Sequence, residues 1–480
     1  MSVQRAPLGE PRGRDLGDGC REAWGQGGLF APDGAPLSPI TKLPSIVAPQ
    51  RLTEPEKCRT RATPYAAVAH LTADPEPANR RREGRDVRAG LLAALRPMTT
   101  QARVAKCGLY AVPTAAPGLV TRRHALTGEL VAGFAGLQRC ASVWCCPECA
   151  YAVRAGRATE LEEVAARWLD AQGDGTVLLF GLTIPHPKGY RLPGWGRPLA
   201  DDLATLLALF RRALAQLLGG RWWHTQRRRW GIAHMARAWD VTHGPNGWHP
   251  HVHGLFFLAA PLAADALAAL TRELFQRWAA ILAGLGLPCP DPRVGVHIEA
   301  ARDVRDVARY AAQVVGAGGW GVGQEVARMD LKASAHQGHR SAWQILADAA
   351  ADGDADDWRR YRRYELALKG LRALLLSRGL RAAVGLGAPA TDAELAEREG
   401  NDVRTYDPPV HVYAFRGDEW AVVRGRPRRI AALMDAAEQG GPYAGPHIAA
   451  LVADWLARDA WSAAETEREL YGSDPPTVGV

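Results

Sequence analysis

No run of about 18 or more apolar residues occurs in the chain, so no stretch reads as a membrane-crossing helix. The first residues, Met1-Ser2-Val3-Gln4-Arg5, lack the apolar centre of a secretory signal. Both absences point to a cytoplasmic protein with no membrane partner. Cysteine is sparse, eight among 480 residues, and in a reducing compartment those eight are expected to be free or metal-bound rather than paired in disulfides. A strong charge bias is also missing. Lys plus Arg exceed Asp plus Glu by 59 to 51, a net +8, which suits a nucleic-acid partner and excludes nothing else. Apolar residues are not lacking: at 47% they supply the core of a soluble globular protein with room for two or three domains.

Residues 1–96 are rich in Pro, Gly, Arg and Ala without a sustained period, and read as a disordered leader with one short helix near Leu91–Leu95. Cys20 and Cys58 lie in it without partner spacing. The next segment, 97–153, collects Cys107, Cys140, Cys145, Cys146 and Cys149. Cys146-Pro147-Glu148-Cys149 is a CxxC knuckle, and Cys107 and Cys140 complete the four thiolates of a closed, structural zinc site, with Cys145 a substitute for any one of them. A redox-active or unliganded CxxC is the competing reading. Leu161, Val164 and Trp168 then recur at helical spacing in a helix over 154–172.

A buried strand is expected over 176–184 and a helix over 199–218, ending at Gly219-Gly220. Arg221, Arg227, Arg228 and Arg229 follow, interleaved with Trp222, Trp223 and Trp230. Indoles that stack on bases and guanidinium groups that hold phosphates make this a candidate DNA-contacting loop; a solvated edge with its tryptophans turned inward fits equally.

The densest chemistry is Trp248-His249-Pro250-His251-Val252-His253-Gly254. In an extended strand His251 and His253 share a face, two imidazoles that form half a metal site. A preceding strand over 231–242 joins it through a Gly-Pro-Asn-Gly turn, and pairing about that turn brings Asp240 beside the imidazoles. Two nitrogens and a carboxylate oxygen make an open site of mixed donors suited to Mg or Mn in phosphoryl transfer. A helix over 261–285 and a strand over 293–299 follow, then a helix placing Asp306 and Tyr310 on one face at i and i+4. A tyrosine with a carboxylate one turn away serves covalent phosphotransfer, although ordinary surface helices carry the same pair.

Taken in order, these stretches resemble one family, the rolling-circle replication initiators of the HUH endonuclease superfamily, in particular the single-tyrosine initiators of actinobacterial plasmids. The resemblance is carried by the cysteine segment 140–149, by Gly181-Leu182-Thr183-Ile184-Pro185-His186, by the metal motif 238–255, by Asp306-Val307-Ala308-Arg309-Tyr310, and by 364–380, which includes Arg378. It spans roughly residues 105–425, and the metal motif is its most specific part. It implies that His251 and His253 are metal ligands, that Tyr310 is the nucleophile, and that Asp306 activates water at termination. Asp240 stands where the family commonly has a glutamate, with His243 and His249 as alternative third ligands, and Gln313 stands where it has a lysine.

The expected fold is α+β: an HUH core over 154–316 with a central antiparallel sheet of about five strands flanked by helices, a zinc-binding subdomain over 97–153, a linker and helical segment over 317–400, and a C-terminal hairpin (411–415 with 420–423) and helices over 401–480. The expected function is nicking and rejoining of plasmid origin DNA, duplex and single-stranded, through a 5′-phosphotyrosine, with Arg221, Arg227, Arg228, Arg229 and Arg378 as DNA contacts and host helicase and replication machinery as partners. A relaxase or transposase of the same superfamily, and a non-catalytic zinc-containing DNA-binding regulator, are the alternatives.

Overall fold

The computed structural model describes residues 77–124, 128–173, 175–301, 339–397 and 406–471, which form an α+β protein built on two antiparallel sheets. In chain order the elements are α1 (Pro77–Leu95), β1 (Gly118–Arg123), β2 (Leu130–Ala135), α2 (Pro147–Gln172), β3 (Thr176–Thr183), α3 (Leu203–Leu217), α4 (Gly220–Arg229), β4 (Ile232–Gly244), β5 (Gly247–Leu258), α5 (Ala264–Gly284) and β6 (Val296–Ala300). After 339 come β7 (Arg340–Ser341), α6 (Ala342–Asp352), α7 (Ala355–Ala367), β8 (Leu374–Leu376), β9 (Val410–Ala414), α8 (Gly417–Val423), α9 (Pro427–Gly440) and α10 (Gly445–Tyr471). No single helix among the described residues is long and apolar enough to cross a membrane.

The larger sheet runs β6-β3-β5-β4-β7, with β8 also on β4. Its middle strands alternate two apolar sets. Leu178, Phe180, Trp239, Val252 and Phe256 point to one face, under Phe210 of α3 and Trp278 of α5; Val177, Leu179, Ala236, Ala238, Leu255 and Phe257 point to the other, under Leu161, Val164 and Trp168 of α2. This period of two on strands buried on both sides explains why the sequence reads there as near-continuous apolar runs. Phe180 and Phe256 stack at 4.2 Å over Gly254; a Cβ at Gly254 would meet the Phe180 ring at 2.2 Å. The hairpin turn holds Gly244 opposite Gly247, and Gly247, at φ +95° directly after Pro245-Asn246, adopts the positive-φ backbone that glycine takes without strain, as where a turn closes on a G1 bulge.

The smaller sheet, β2-β1-β9, is built from segments some 290 residues apart in sequence (β1 at 118–123, β9 at 410–414). Its core joins Leu119 and Phe134 to Phe415, Trp420, Leu433 and Ile448 of the C-terminal helices. Here the expected hairpin of 411–415 with 420–423 is wrong. Residues 410–414 do form a strand, but it pairs with β1, and 417–423 is helix α8, started by a capping box in which Glu419 accepts from the Arg416 backbone N–H at 2.9 Å. Other boundaries moved for similar reasons. The helix expected only near Leu91–Leu95 runs from Pro77, its apolar end seated by Leu91, Leu92 and Leu95 in the main core and Arg85 paired with Asp435 at 2.6 Å and Glu438 at 3.1 Å. Helix α2 begins at the CxxC itself, with Pro147 in its first turn and Glu148 beside the N-terminal dipole.

Candidate metal centres

Asp240 and His251 are directly opposite each other in the β4–β5 register, and Ala238 faces His253. Opposed residues of an antiparallel pair keep their Cβ atoms about 5 Å apart, so a short carboxylate reaches: His251 Nε2 lies 2.8 Å from Asp240 Oδ2. The other carboxylate oxygen accepts from the Val241 backbone N–H at 2.8 Å, which fixes its orientation. His251 and His253 rings are 4.9 Å apart. One donor atom from each of Asp240, His251 and His253 lies within 4.8 Å of the others; donors about 2.1 Å from one ion stand about 3.0–3.4 Å apart at neighbouring octahedral or tetrahedral corners, so an inward turn of the side chains would close the set around a cation. A further observation fits a cation: His251 Nδ1 is buried with no hydrogen-bond partner among the described residues. The trio is partly open, His251 and Asp240 side chains being 16% and 20% exposed, because the imidazoles occupy the face that Leu255 and Phe257 cover further along β5.

His249 takes a different partner. Its Nδ1 is 3.1 Å from Nε2 of His186, whose own Nδ1 donates to the Ile184 carbonyl at 2.8 Å. Burial pushes His249 down to about 3, with His251, His186 and His339 adding to the effect, so it is a neutral imidazole at ordinary pH. His339 approaches it, the rings 6.2 Å apart, held by β7 on the edge of β4. An Arg340–Asp357 pair, at 2.6 and 2.8 Å, and the Ser341–Gln344 capping box anchor that short strand. His243 lies edge-on to the Trp248 ring at 4.9 Å, and burial, with Arg360 and Arg340 nearby, lowers it to about 4. Of the three candidate third donors, Asp240 is the one grouped with both imidazoles. The sequence reading singled out neither His186 nor His339 as a neighbour of this site: the first follows β3, the second lies after 302–338, and only the sheet brings them together. Asp306, Tyr310 and Gln313 lie outside the described residues.

The second cluster is closed. Cys107, Cys140, Cys146 and Cys149 are 1%, 6%, 0% and 1% exposed, with Sγ separations of 3.5 Å (Cys107–Cys149), 3.6 Å (Cys140–Cys149) and 3.7 Å (Cys107–Cys146). Disulfides would bring sulfurs to about 2.05 Å, whereas four sulfurs about 2.3 Å from one zinc sit about 3.8 Å apart at tetrahedral corners. The set fits zinc. Hydrogen bonds from Cys140, Cys146 and Cys149 hold the Cys107 thiol far below its ordinary value, while Cys140 and Cys146 are pushed up, since four packed thiols cannot all ionise without a cation. Cys145 is not a substitute ligand. It points away, accepting from Gln101 Nε2 at 3.3 Å and donating toward the Glu365 carbonyl, and burial pushes it up to about 12.

The tryptophan-arginine stretch is a helix, α4, not a loop. Trp223 and Trp230 are buried, Arg227 donates to the Ile232 carbonyl at 3.1 Å, and Arg229 pairs with Glu273 at 2.8 Å. Arg221 and Arg228 are exposed, as is Arg378, which follows Ser377, itself bonded to the Met235 backbone N–H at 3.0 Å. Arg228 and Arg378 lie by the Ile232 end of β4, about 26 Å along the strand from Asp240 at about 3.3 Å per residue, while Arg221 stands at the start of α4.

Over 395 aligned residues the chain is 28% identical to Protein rep of Streptomyces lividans, an alignment that takes in 67% of this chain and 86% of that relative. The chain is a distant homologue of that Rep protein. No protein-family model matches it, and no solved structure does.

Proposed function

We propose that the chain is a replication initiator of the HUH endonuclease type, which binds a plasmid double-strand origin, nicks one strand and later rejoins it. The observation that carries this reading is the Asp240–His251–His253 trio on a two-strand hairpin, partly open, with a buried unpartnered His251 nitrogen. The likeness to a Rep protein over 86% of that relative's length agrees with it.

A phosphodiester repels nucleophiles by its charge, and a neutral phenol attacks weakly. A Mg or Mn ion held by Asp240, His251 and His253 would supply the positive charge that polarises the phosphate. The chain's own groups do the rest. Val241 N–H fixes the Asp240 carboxylate, and His186 turns His249 so that its ring flanks the trio. The Tyr310 oxygen bonds to phosphorus as the bond to the 3′ oxygen breaks; the phenolic proton passes to solvent and the 3′ oxygen takes one up, leaving a 5′-phosphotyrosine and a primer end. Asp306 later accepts a proton from the water that cleaves this link, unless the returning 3′ hydroxyl closes a circle. Arg228 and Arg378, at the far end of β4, and Arg221, at the start of α4, hold duplex backbone, while Arg227 and Arg229 brace helix α4. The four cysteines hold a structural zinc. The protein acts in the cytoplasm with the host helicase and replication machinery.

A labelled origin oligonucleotide incubated with Mn should yield a protein-linked product that disappears in Tyr310→Phe. An adduct of undiminished yield in that variant would overturn the assignment of the nucleophile. Duplex binding without any adduct in the native chain would leave the non-catalytic regulator as the better reading.

A further inference from the structure

Beside the cysteine cluster, between α1, α2 and the C-terminal helices, lies a cavity of about 160 Å³ lined by four arginines, Arg85, Arg88, Arg96 and Arg139, and by Glu148 and Glu438. Cys107 and Cys149 form part of the same wall. So dense a set of guanidinium groups suggests an anion pocket, but a count of charges argues otherwise. Arg85 is taken by Asp435 and Glu438, and Arg88 lies 3.5 Å from Glu148 and over the Tyr151 ring. Arg96 and Arg139 share the cavity wall with Cys107 and Cys149: Arg96 Nη2 donates to the Cys107 carbonyl at 2.9 Å and its Nε is buried without a hydrogen-bond partner among the described residues, while Arg139 immediately precedes Cys140. Arg139 Nη1 reaches to 3.5 Å from where a Cβ on Gly108 would stand, beside Cys107, on the cavity wall that Cys107 and Cys149 share.

Four thiolates around one divalent zinc carry a net charge of −2, and a buried charge of that size needs partners. We propose that Arg96 and Arg139 are the counterions of the four-cysteine centre, and that metal loading is what seats helix α1 on the cysteine segment. This rests on the structural-zinc reading above. Two arginines cancel the excess charge and leave no cation over for an anionic ligand in the cavity. Arg96 is the residue directly after α1, whose Leu91, Leu92 and Leu95 share a core with Cys107, Cys146 and Cys149. Stripping the metal changes the charge that Arg96 faces and loosens that end of the helix.

The test uses the full chain, a chromogenic zinc chelator and hydrogen exchange. Arg96→Met and Arg139→Met should each release zinc to the chelator at an affinity about 10- to 100-fold weaker than the native chain. Arg96→Lys and Arg139→Lys, which keep the charge, should stay within about threefold of native, well short of that loss. Chelation of the native protein should raise exchange over 91–96 while leaving β5 protected. If the Met variants hold zinc as tightly as the native chain, the counterion role is overturned and the zinc site stands. If the native chain contains no stoichiometric zinc, the zinc reading falls and the counterion role with it. Should Arg139→Met fail to fold, Arg96→Met and Arg139→Lys decide the matter on the same readout.

Discussion

The two candidate metal centres differ in nearly every property that governs what a bound ion can do. The cysteine cluster is sealed, all sulfur, and spread over the sequence from Cys107 to Cys149. The Asp240–His251–His253 trio is partly open, mixed in its donors, and confined to one hairpin. Four soft ligands leave no position for a substrate, so the first centre can only hold structure together. Three hard or borderline ligands leave room for a phosphate oxygen, so the second can do chemistry. Within one chain, the number of protein donors and their exposure separate a fold-holding ion from a reacting one.

The strongest way to break that contrast is to remove a sulfur. Cys146→Ala should abolish stoichiometric zinc and cost on the order of 10 kcal/mol of apparent stability, read by calorimetry and metal analysis. A variant with native melting behaviour would show that the cluster is no metal site. His251→Ala combined with His253→Ala should do the reverse: nicking falls by about 10³-fold or more, several kcal/mol of barrier, while melting temperature and duplex binding stay near native. If the double variant unfolds instead, the trio is structural and the contrast disappears.

Asp240→Glu sharpens the picture by lengthening the carboxylate; it should retain nicking within about tenfold, whereas Asp240→Asn, which removes the charge, should lose about 10- to 100-fold in metal affinity measured by Mn titration. Gly254→Ala probes the shelf beneath the trio. Its methyl meets the Phe180 ring and the Ala236 carbonyl at 2.6 Å, so stability should fall by about 1–3 kcal/mol in denaturant titrations. The smallest effect is expected from Cys145→Ala. It loses about 1 kcal/mol of packing and hydrogen bonding and leaves zinc content unchanged; a variant without zinc would restore Cys145 to the ligand set.

The trio was legible because its information is local. Spacing by two puts His251 and His253 on one face, and the Gly-Pro-Asn-Gly turn fixes the register that sets Asp240 opposite. The α+β class was legible in the same way, from strands and helices whose apolar periods are clear. Sequence reasoning failed where a segment's partner lies far off in the chain. Residues 411–415 alternate like half a hairpin, and nothing local shows that the partner is β1 rather than the neighbouring Trp420–Val423. Residues 220–229 carry a run of charge that suits a loop, yet Arg and Gln are good helix formers, and burial of Trp223 within the segment and Trp230 at its C-cap seats it as a helix.

By itself the sequence determined the donors: which residues carry sulfur, imidazole and carboxylate, and, through the period of a strand and a two-residue turn, which of them share a face. The tertiary structure alone decided how those donors are set. It enclosed four sulfurs and turned Cys145 away, brought His186 and His339 up to His249, and gathered Arg96 and Arg139 at the sulfur cluster from opposite sides of the β1–β2 hairpin. The division follows from range. Backbone geometry acts over a few residues and can be read in order along the chain, whereas exposure and electrostatic surroundings are sums over every segment that packs nearby, and they exist only once the chain has closed on itself.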